Sequence, residues 1–219
     1  MPSKSKQVNR FAHELALVEQ GVNRIAGVDE AGRGPLAGPV FAAAVIFPVA
    51  WIRDGLPQSL QRVNDSKKLS EPQREELFCE ITSRPEICWA VAQVDQTVID
   101  QINILQATHR AMNLALAGLK PAPDFVLVDG NPVKSIKLPC ESIVKGDALS
   151  YSIGAASIVA KVSRDRLMVA LDHQYPGYGF AEHKGYGTEA HMEAIRRLGP
   201  CLVHRMSFAP LRPAQGRLL

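Results

Sequence analysis

Residues 125–128, Phe-Val-Leu-Val, constrain the fold of this 219-residue chain more than any other segment. The run is short and wholly apolar, and it ends at Asp129-Gly130. A strand without polar alternation is buried on both faces, which is typical of a sheet that helices cover on both sides. The segment therefore predicts a strand at the centre of such a sheet.

The other periodic segments complete an α/β pattern. Short apolar runs that end at proline, glycine or acidic residues predict further strands over 24–30, 40–47, 87–94 and 136–143. Helical spacing and end signals predict helices over about 70–83, 95–119, 148–171 and 189–198. This order of strands and helices indicates a mixed sheet with helices on its faces.

Two of the predicted helices have further features that the sequence indicates. The sequence also bears on how the chain is divided into domains. Ser70 precedes Pro72 and acidic residues, so it is expected to cap its helix. Small side chains in the middle of segment 148–171 would let that helix lie close against the sheet. Residues 1–23 are expected to be a tail or short helix. Because no linker divides the remainder, residues 24–219 are expected to form one domain that includes a helical C-terminal part.

Charge and cysteine content bear on possible binding partners and on the cellular compartment. The net charge is only +3, but from Lys161 onward nine lysines and arginines stand against five acids. Such a segment can follow a phosphate backbone, although a solvated basic surface explains the charge equally well. The four cysteines have no C-x-x-C spacing, which favours free thiols in a reducing compartment. No apolar run is long enough to span a bilayer, and the chain is predicted to be cytoplasmic.

Acidic residues end separate elements. Asp29-Glu30 follows one predicted strand, Asp129 follows another, and Asp147 precedes the long helix. Singly, Asp129 is equally a turn residue and Asp147 equally a helix cap. Together, carboxylates that converge at one sheet edge repel each other unless cations neutralise them. Oxygen ligands without histidine or cysteine select Mg²⁺ or Mn²⁺, and two such ions are the usual arrangement for phosphodiester hydrolysis.

A glycine-rich loop follows the first acidic pair. Glycines at 32, 34 and 38 and the proline at 35 fit a dinucleotide-binding loop poorly. We interpret Gly32, Arg33 and Gly34 as presenting backbone amides and a guanidinium to a nucleic-acid backbone beside the metals. The favoured hypothesis is a metal-dependent nuclease. The alternatives are a non-catalytic nucleic-acid-binding module, with binding indifferent to chelator, and a nucleotide-cofactor enzyme, with saturable dinucleotide binding.

Several segments then resemble one family. Gly-Val-Asp-Glu-Ala-Gly-Arg-Gly-Pro-Leu-Ala-Gly-Pro-Val at 27–40 closely resembles the signature of bacterial ribonuclease HII, the type 2 branch of the ribonuclease H-like superfamily. So do Asn-Asp-Ser-Lys-Lys-Leu at 64–69, Val-Asp-Gly-Asn at 128–131, the small-residue segment at 155–165, and the loops at 175–180 and 183–188. His-Arg-Met-Ser-Phe at 204–208 is similar to the family's C-terminal motif.

The resemblance implies a ribonuclease H-like fold, with a mixed five-stranded sheet flanked by helices and a helical C-terminal region. It implies an endonuclease that hydrolyses the RNA strand of RNA–DNA hybrids to 5′-phosphate ends and incises 5′ of ribonucleotides embedded in DNA. The implied cofactors are two Mn²⁺ or Mg²⁺ ions. The chain is expected to act as a monomer, with no protein partner evident.

The same resemblance assigns residues. It implies that the metal-site acids are Asp29, Glu30, Asp129 and Asp147. It implies a ribonucleotide-sensing loop at Gly32, Arg33 and Gly34, phosphate contacts near Ser66 and Lys67, and stacking of Tyr186 on the ribose at the RNA–DNA junction. Without the resemblance, Tyr186 would be interpreted as a surface loop tyrosine.

Other polar residues are expected to have structural or accessory roles. Lys161 and Asp165, spaced i,i+4, are predicted to be a helix-surface pair. His183, His191 and His204 lack ligand spacing and are expected to make hydrogen bonds or phosphate contacts.

Overall fold

A five-stranded mixed sheet organises the protein, whose computed structural model describes residues 9–212. Its strand order is β3-β2-β1-β4-β5. The strands are β1 (Ile25–Ala31), β2 (Val40–Ile46), β3 (Cys88–Val94), β4 (Phe125–Asp129) and β5 (Cys140–Ile143). β1, β2 and β3 are antiparallel neighbours, whereas β4 and β5 extend the sheet in parallel from β1. The prediction of a mixed five-stranded sheet is confirmed.

β4, which contains the apolar run at 125–128, is buried on both faces. Leu127 packs into one core, while Val126 and Val128 pack into the core on the opposite face. All three side chains are fully buried. The central position of the sheet, however, belongs to β1, with β4 next to it.

Helices cover both faces of this sheet. They are α1 (Ala12–Glu19), α2 (Val49–Asp54), α3 (Glu71–Ser83), α4 (Gln96–Gly118), α5 (Gly146–Leu149), α6 (Tyr151–Gln174), α7 (Phe180–His183) and α8 (Glu189–Leu198). Short 3-10 turns occupy Gln58–Leu60 and Ser66–Lys68. Residues of α4 fill the core on one face, and residues of α3 and α6 fill the core on the other. None of the helices among residues 9–212 has the length and apolar character that crossing a membrane requires.

Two local predictions are confirmed. The Ser70 side chain accepts a hydrogen bond from the Gln73 amide, and the Gln73 side chain accepts one from the Ser70 amide, which makes a capping box at the start of α3. The small residues of α6 also lie against the sheet. A Cβ atom on Gly27 of β1 would come within 2.1 Å of the Ser152 carbonyl carbon, so only glycine permits this approach.

Three elements differ from the prediction, two in where they begin and one in its continuity. The long helix begins at Tyr151, because Ser150 adopts an extended conformation and caps it, while the segment before it forms the separate α5. The predicted strand over 136–143 is reduced to β5, since Pro139 precedes it and has no amide hydrogen to donate. α4 is interrupted at Asn103, whose φ is 66°.

The remaining expectations concern the cysteines and the chain ends. All four cysteines are free thiols, as predicted. α1 lies within the 1–23 segment that was expected to be a tail or short helix. Residues 1–8 of that segment and residues 213–219 of the expected catalytic domain lie outside the described residues.

Candidate metal and nucleic-acid site

Three carboxylates from separate elements meet at one edge of the sheet. Val28 of β1 pairs with Val128 of β4 in parallel register, so Asp29 and Asp129 follow at neighbouring positions. Asp147 reaches the same point from α5. Carboxylate oxygens of these three residues all lie within 4.8 Å of one another.

Short-range contacts position these acids. The Asp129 Oδ1 atom accepts a hydrogen bond of 2.6 Å from the Gly146 amide, which ties β4 to the turn that carries Asp147. A Cβ atom on Gly146 would lie 2.6 Å from the Ile153 Cδ1 atom and 3.3 Å from Asp129 Oδ1, so a side chain there would disturb this contact. The Asp29 Oδ1 atom accepts a 2.7 Å hydrogen bond from the Glu30 amide.

Glu30 lies beside this group of three rather than within it. Its Oε1 atom is 3.2 Å from Arg33 Nη1, so the glutamate pairs with the arginine of the glycine-rich loop. Burial raises the pKa of the Glu30 carboxyl, and the Arg33 guanidinium opposes that shift. Glu30 therefore faces both the carboxylates and the loop.

The electrostatics of the acids favour a bound cation. Burial raises the pKa of Asp29 well above its ordinary value, and the neighbouring charges of Glu30 and Asp129 raise it further. Burial also raises the pKa of Asp147, with additional contributions from Asp129 and Asp65. Carboxylates held together against their charge repulsion are stabilised by cations, and this all-oxygen donor set suits Mg²⁺ or Mn²⁺. The residues present fit such a metal.

A cationic side chain already lies at this edge. Although burial lowers the pKa of Lys67, the charges of Asp29, Asp65 and other site acids raise it overall. The adjacent Ser66 is buried, and its hydroxyl lies 2.9 Å from the Ser157 hydroxyl of α6. The segment predicted to contact phosphates is therefore next to the acids.

The predicted substrate residues line a single cleft of about 270 Å³ beside Glu30. This cleft contains all six of them, namely Gly32, Arg33, Gly34, Ser66, Lys67 and Tyr186. A nucleic-acid backbone lying there would contact the glycine loop, Lys67 and Glu30 together.

Tyr186 is 46% exposed, whereas its backbone is held firmly. Its amide donates to the His183 carbonyl at 2.9 Å, and its carbonyl accepts from His191 Nδ1 at 2.9 Å. His191 Nε2 in turn lies 3.1 Å from His204 Nε2. The three histidines thus make hydrogen bonds within the protein and support the loop that carries the tyrosine.

Comparison with known proteins decides the family. The family model described as Ribonuclease HII matches residues 26–211. A ribonuclease HII of Acetivibrio thermocellus is 51% identical over 207 residues, covering 93% of this chain and 78% of the relative. One of Cereibacter sphaeroides is 53% identical over 203 residues, covering 92% and 91%. The chain belongs to the ribonuclease HII family.

A solved structure agrees with the fold and family of this ribonuclease HII chain. The crystal structure of ribonuclease H2 from Pyrococcus horikoshii OT3 superposes with a TM-score of 0.70 at 28% identity, covering 86% of this chain and 95% of that one. The predicted ribonuclease H-like fold and family are confirmed. The protein is accordingly a metal-dependent endoribonuclease of the ribonuclease H type, a family that acts on RNA–DNA hybrids.

Sequence reasoning missed two buried arginines of this ribonuclease HII fold. Arg205 donates to loop carbonyls at 2.6 to 2.9 Å, those of Gly32, Arg33, Pro35 and Gly38. Arg164 donates to the carbonyls of Pro39, Lys184 and Ala37. Burial lowers the pKa of Arg205 to about 9 and that of Arg164 to about 10.

These arginines correct the interpretation of the basic C-terminal third. Both were counted among charges able to follow a phosphate backbone, but both are buried and donate to carbonyls of the loop over 32–39, Arg164 also to the Lys184 carbonyl. The only available signal was their position within motifs that resemble the family. Their role in this ribonuclease HII chain is to hold the loop's carbonyls inward.

Lys161 and Asp165 form the predicted helix pair, with Nζ and Oδ1 2.8 Å apart. Their predicted location on the surface is wrong: Asp165 is buried, and Lys161 lines the cleft. Lys161 and Lys67 therefore line the same cleft.

Proposed function

We propose that this enzyme cleaves the RNA strand of RNA–DNA hybrids and also nicks duplex DNA on the 5′ side of single embedded ribonucleotides. Two divalent cations, Mn²⁺ or Mg²⁺, are held by Asp29, Glu30, Asp129 and Asp147. The observation that supports this most directly is the approach of carboxylate oxygens from Asp29, Asp129 and Asp147 to within 4.8 Å of one another.

The carboxylates account for the chemistry. When bound, two such ions activate water and stabilise the leaving oxygen of a phosphodiester. Asp29 and Asp129 are fixed by neighbouring strands, so their spacing is rigid, whereas Asp147 approaches from a short turn. Glu30 extends the donor set toward the cleft.

The cleft accounts for substrate binding. Lys67 and Arg33 provide positive charge for phosphates next to the acids. Because the loop carbonyls point into Arg205, the amides of Gly32, Arg33 and Gly34 remain available. Among residues 9–212, nothing accepts a hydrogen bond from these three amides. They are therefore suited to contact a phosphate or a 2′-hydroxyl.

Tyr186 accounts for the distinction between RNA and DNA. Its exposed ring lies over the loop, and its Cε1 atom is 3.5 Å from the position of a Cβ atom on Gly34. An aromatic ring at this place can pack against a sugar, and the 2′-hydroxyl is what separates a ribonucleotide from its neighbours. Monomeric action, a cytoplasmic location and a role in ribonucleotide excision repair belong to this proposal and stay predictions.

The test uses a DNA duplex with one ribonucleotide, incubated with Mn²⁺ or Mg²⁺, followed by mapping of the nick. We expect a single nick 5′ of the ribonucleotide and none in an all-DNA duplex. Asp29→Asn should abolish cleavage while duplex binding persists, whereas Asp54→Asn, an exposed aspartate of α2, should cleave normally.

Two outcomes would contradict the proposal. If Asp29→Asn cleaves as fast as the wild type, the proposed metal site is wrong. Duplex binding by the wild type without any cleavage, whether or not chelator is present, would favour the non-catalytic binding module instead.

A further inference from the structure

Arg10, two residues before the start of α1, donates hydrogen bonds into the turn that carries Asp147. Its Nη2 atom is 2.8 Å from the Asp147 carbonyl oxygen, and its Nε atom is 2.9 Å from the Ala148 carbonyl oxygen. Its remaining nitrogen, Nη1, donates to the Val63 carbonyl. One guanidinium therefore joins α5 to the segment that leads into Ser66 and Lys67.

α1 also holds the other end of that turn. Glu14 is fully buried, and its Oε1 atom accepts hydrogen bonds from the Ser150 hydroxyl at 2.6 Å and the Ser152 amide at 3.1 Å. The Tyr151 amide donates to the Arg10 carbonyl at 3.0 Å. The break between α5 and α6 is thus fixed from both sides by the N-terminal segment.

The turn needs such support because little within it defines its position. α5 has four residues, begins after Lys145, which is in the left-handed conformation, and ends before Ser150, which is extended. A helix this short has almost no intrinsic stability. The Gly146 contact to Asp129 and the two hydrogen bonds from Arg10 hold its backbone beside the acids, while Glu14 holds the following Ser150.

We propose that Arg10 is a positioning residue that holds the Asp147 carboxylate in register with Asp29 and Asp129 and keeps the Ser66–Lys68 turn beside them. The inference rests on the proposed function, since it requires Asp147 to be a metal ligand. It gives the N-terminal segment a role in metal binding that its sequence does not reveal.

Charge and position predict opposite effects of removing Arg10. If only its charge mattered, Arg10→Ala would remove a cation near Asp147 and tighten Mn²⁺ binding. If it positions Asp147, the same change should weaken Mn²⁺ binding on the order of tenfold, as loss of groups that orient metal ligands does. The sign of the change therefore separates the two.

The experiment is calorimetric titration of Mn²⁺ into metal-free full-length protein. Arg10→Ala is compared with Arg53→Ala, an exposed arginine of α2 that should leave Mn²⁺ affinity unchanged. Thermal melts in chelator establish the temperature range in which each variant is folded. If Arg10→Ala does not fold, Arg10→Lys is titrated instead, because it keeps the charge but cannot reach three carbonyls at once.

Asp147→Asn distinguishes a failure of the positioning role of Arg10 from a failure of the proposed metal site. It should weaken Mn²⁺ binding at least as much as Arg10→Ala. If Asp147→Asn leaves Mn²⁺ affinity unchanged, the proposed metal site itself is wrong. If Asp147→Asn weakens binding but the folded Arg10 variant binds Mn²⁺ within twofold of wild type, or more tightly, the positioning role alone is overturned.

Discussion

A Cβ atom built on Gly32 would lie 2.0 Å from the Nε atom of Arg164. The side chain of this arginine crosses beneath the start of the glycine loop and donates to the Pro39 carbonyl at its far end. Gly32 also has a φ of +92°, a conformation that other residues rarely adopt. The position therefore requires glycine for two independent reasons.

Gly32→Ala should consequently lose both stability and activity. The methyl group must displace a buried, hydrogen-bonded guanidinium, and the loop that lines the cleft must move with it. We expect a loss of about 3 kcal/mol in the free energy of unfolding, since left-handed strain and overpacking add. Urea denaturation measures the stability, and cleavage of a hybrid under conditions where the variant is folded measures the activity.

Gly21→Ala is the matched control. Its φ is +89°, but a Cβ atom there would meet nothing within 4 Å. Strain alone should cost about 1–2 kcal/mol and leave cleavage intact. Equal losses in the two variants would mean that the contact with Arg164 contributes nothing.

Arg205→Lys tests how the loop carbonyls are held. The guanidinium donates to four carbonyls of the loop, and one ammonium group cannot span them. Carbonyls left buried without a donor should lower the free energy of unfolding by about 3 kcal/mol. In urea denaturation, Arg197→Lys should change stability by under about 0.5 kcal/mol, because Arg197 is exposed and donates to a single carbonyl.

A second readout distinguishes the loop from the general fold. In folded Arg205→Lys, KM for a ribonucleotide-containing duplex should rise more than kcat falls, because the loop amides contact substrate in the proposed function. An unchanged KM alongside reduced stability would limit Arg205 to a structural role.

The sheet could be predicted from sequence because its signals are local. The apolar run of β4 and the Ser70 cap both have direct physical causes within a few residues. The break at Ser150 could not be predicted in this way, since small and apolar residues continue through it. Besides the local cap of Ser150 on the Ile153 amide, the break is held by Glu14, a partner more than a hundred residues away in the chain.

In the candidate site, too, some residues have a local sequence signal and others depend on distant parts of the chain. Asp29 and Asp129 are recognisable because each ends a strand, and parallel pairing of those strands brings them together. Arg10, Arg164 and Arg205 carry no such pattern, because an arginine is expected to be exposed unless a specific fold surrounds it with carbonyls. The residues that hold the site are therefore harder to find than the residues that form it.

Tyr186 provides a test of ribose recognition. Its ring is exposed beside the loop, whereas its backbone is fixed by His183 and His191. Tyr186→Phe keeps the ring and should retain most cleavage at a single ribonucleotide. Tyr186→Ala removes it and should reduce that cleavage by about fivefold to 150-fold, the range that corresponds to 1–3 kcal/mol of stacking.

Single-turnover nicking of a duplex with one ribonucleotide measures this effect. Tyr175→Ala, another tyrosine outside the cleft, is the comparison. If Tyr186→Ala cleaves as fast as Tyr186→Phe, the ring has no role in recognising the ribose.

The histidines behind Tyr186 predict a pH dependence of stability. Burial, together with the charges of His183 and His204, lowers the pKa of His191 to about 4 from 6.5, against the effect of its hydrogen bond to the Tyr186 carbonyl. Between these values the unfolded chain takes up a proton at His191 and the folded protein does not. The stability that this group contributes is therefore complete above pH 6.5 and is lost as the pH falls toward about 4.

Urea denaturation at several pH values across that interval, for wild type and His191→Gln, measures the contribution. The variant should be less stable than wild type near neutral pH, but the gap should narrow as the pH falls, because glutamine takes up no proton. Burial lowers the pKa of His204 too, so part of the wild-type slope persists in the variant. His173→Gln, an exposed histidine of α6, should leave the slope unchanged. A gap that stays constant from neutral pH down to about pH 4 would mean that His191 is not held neutral by the fold.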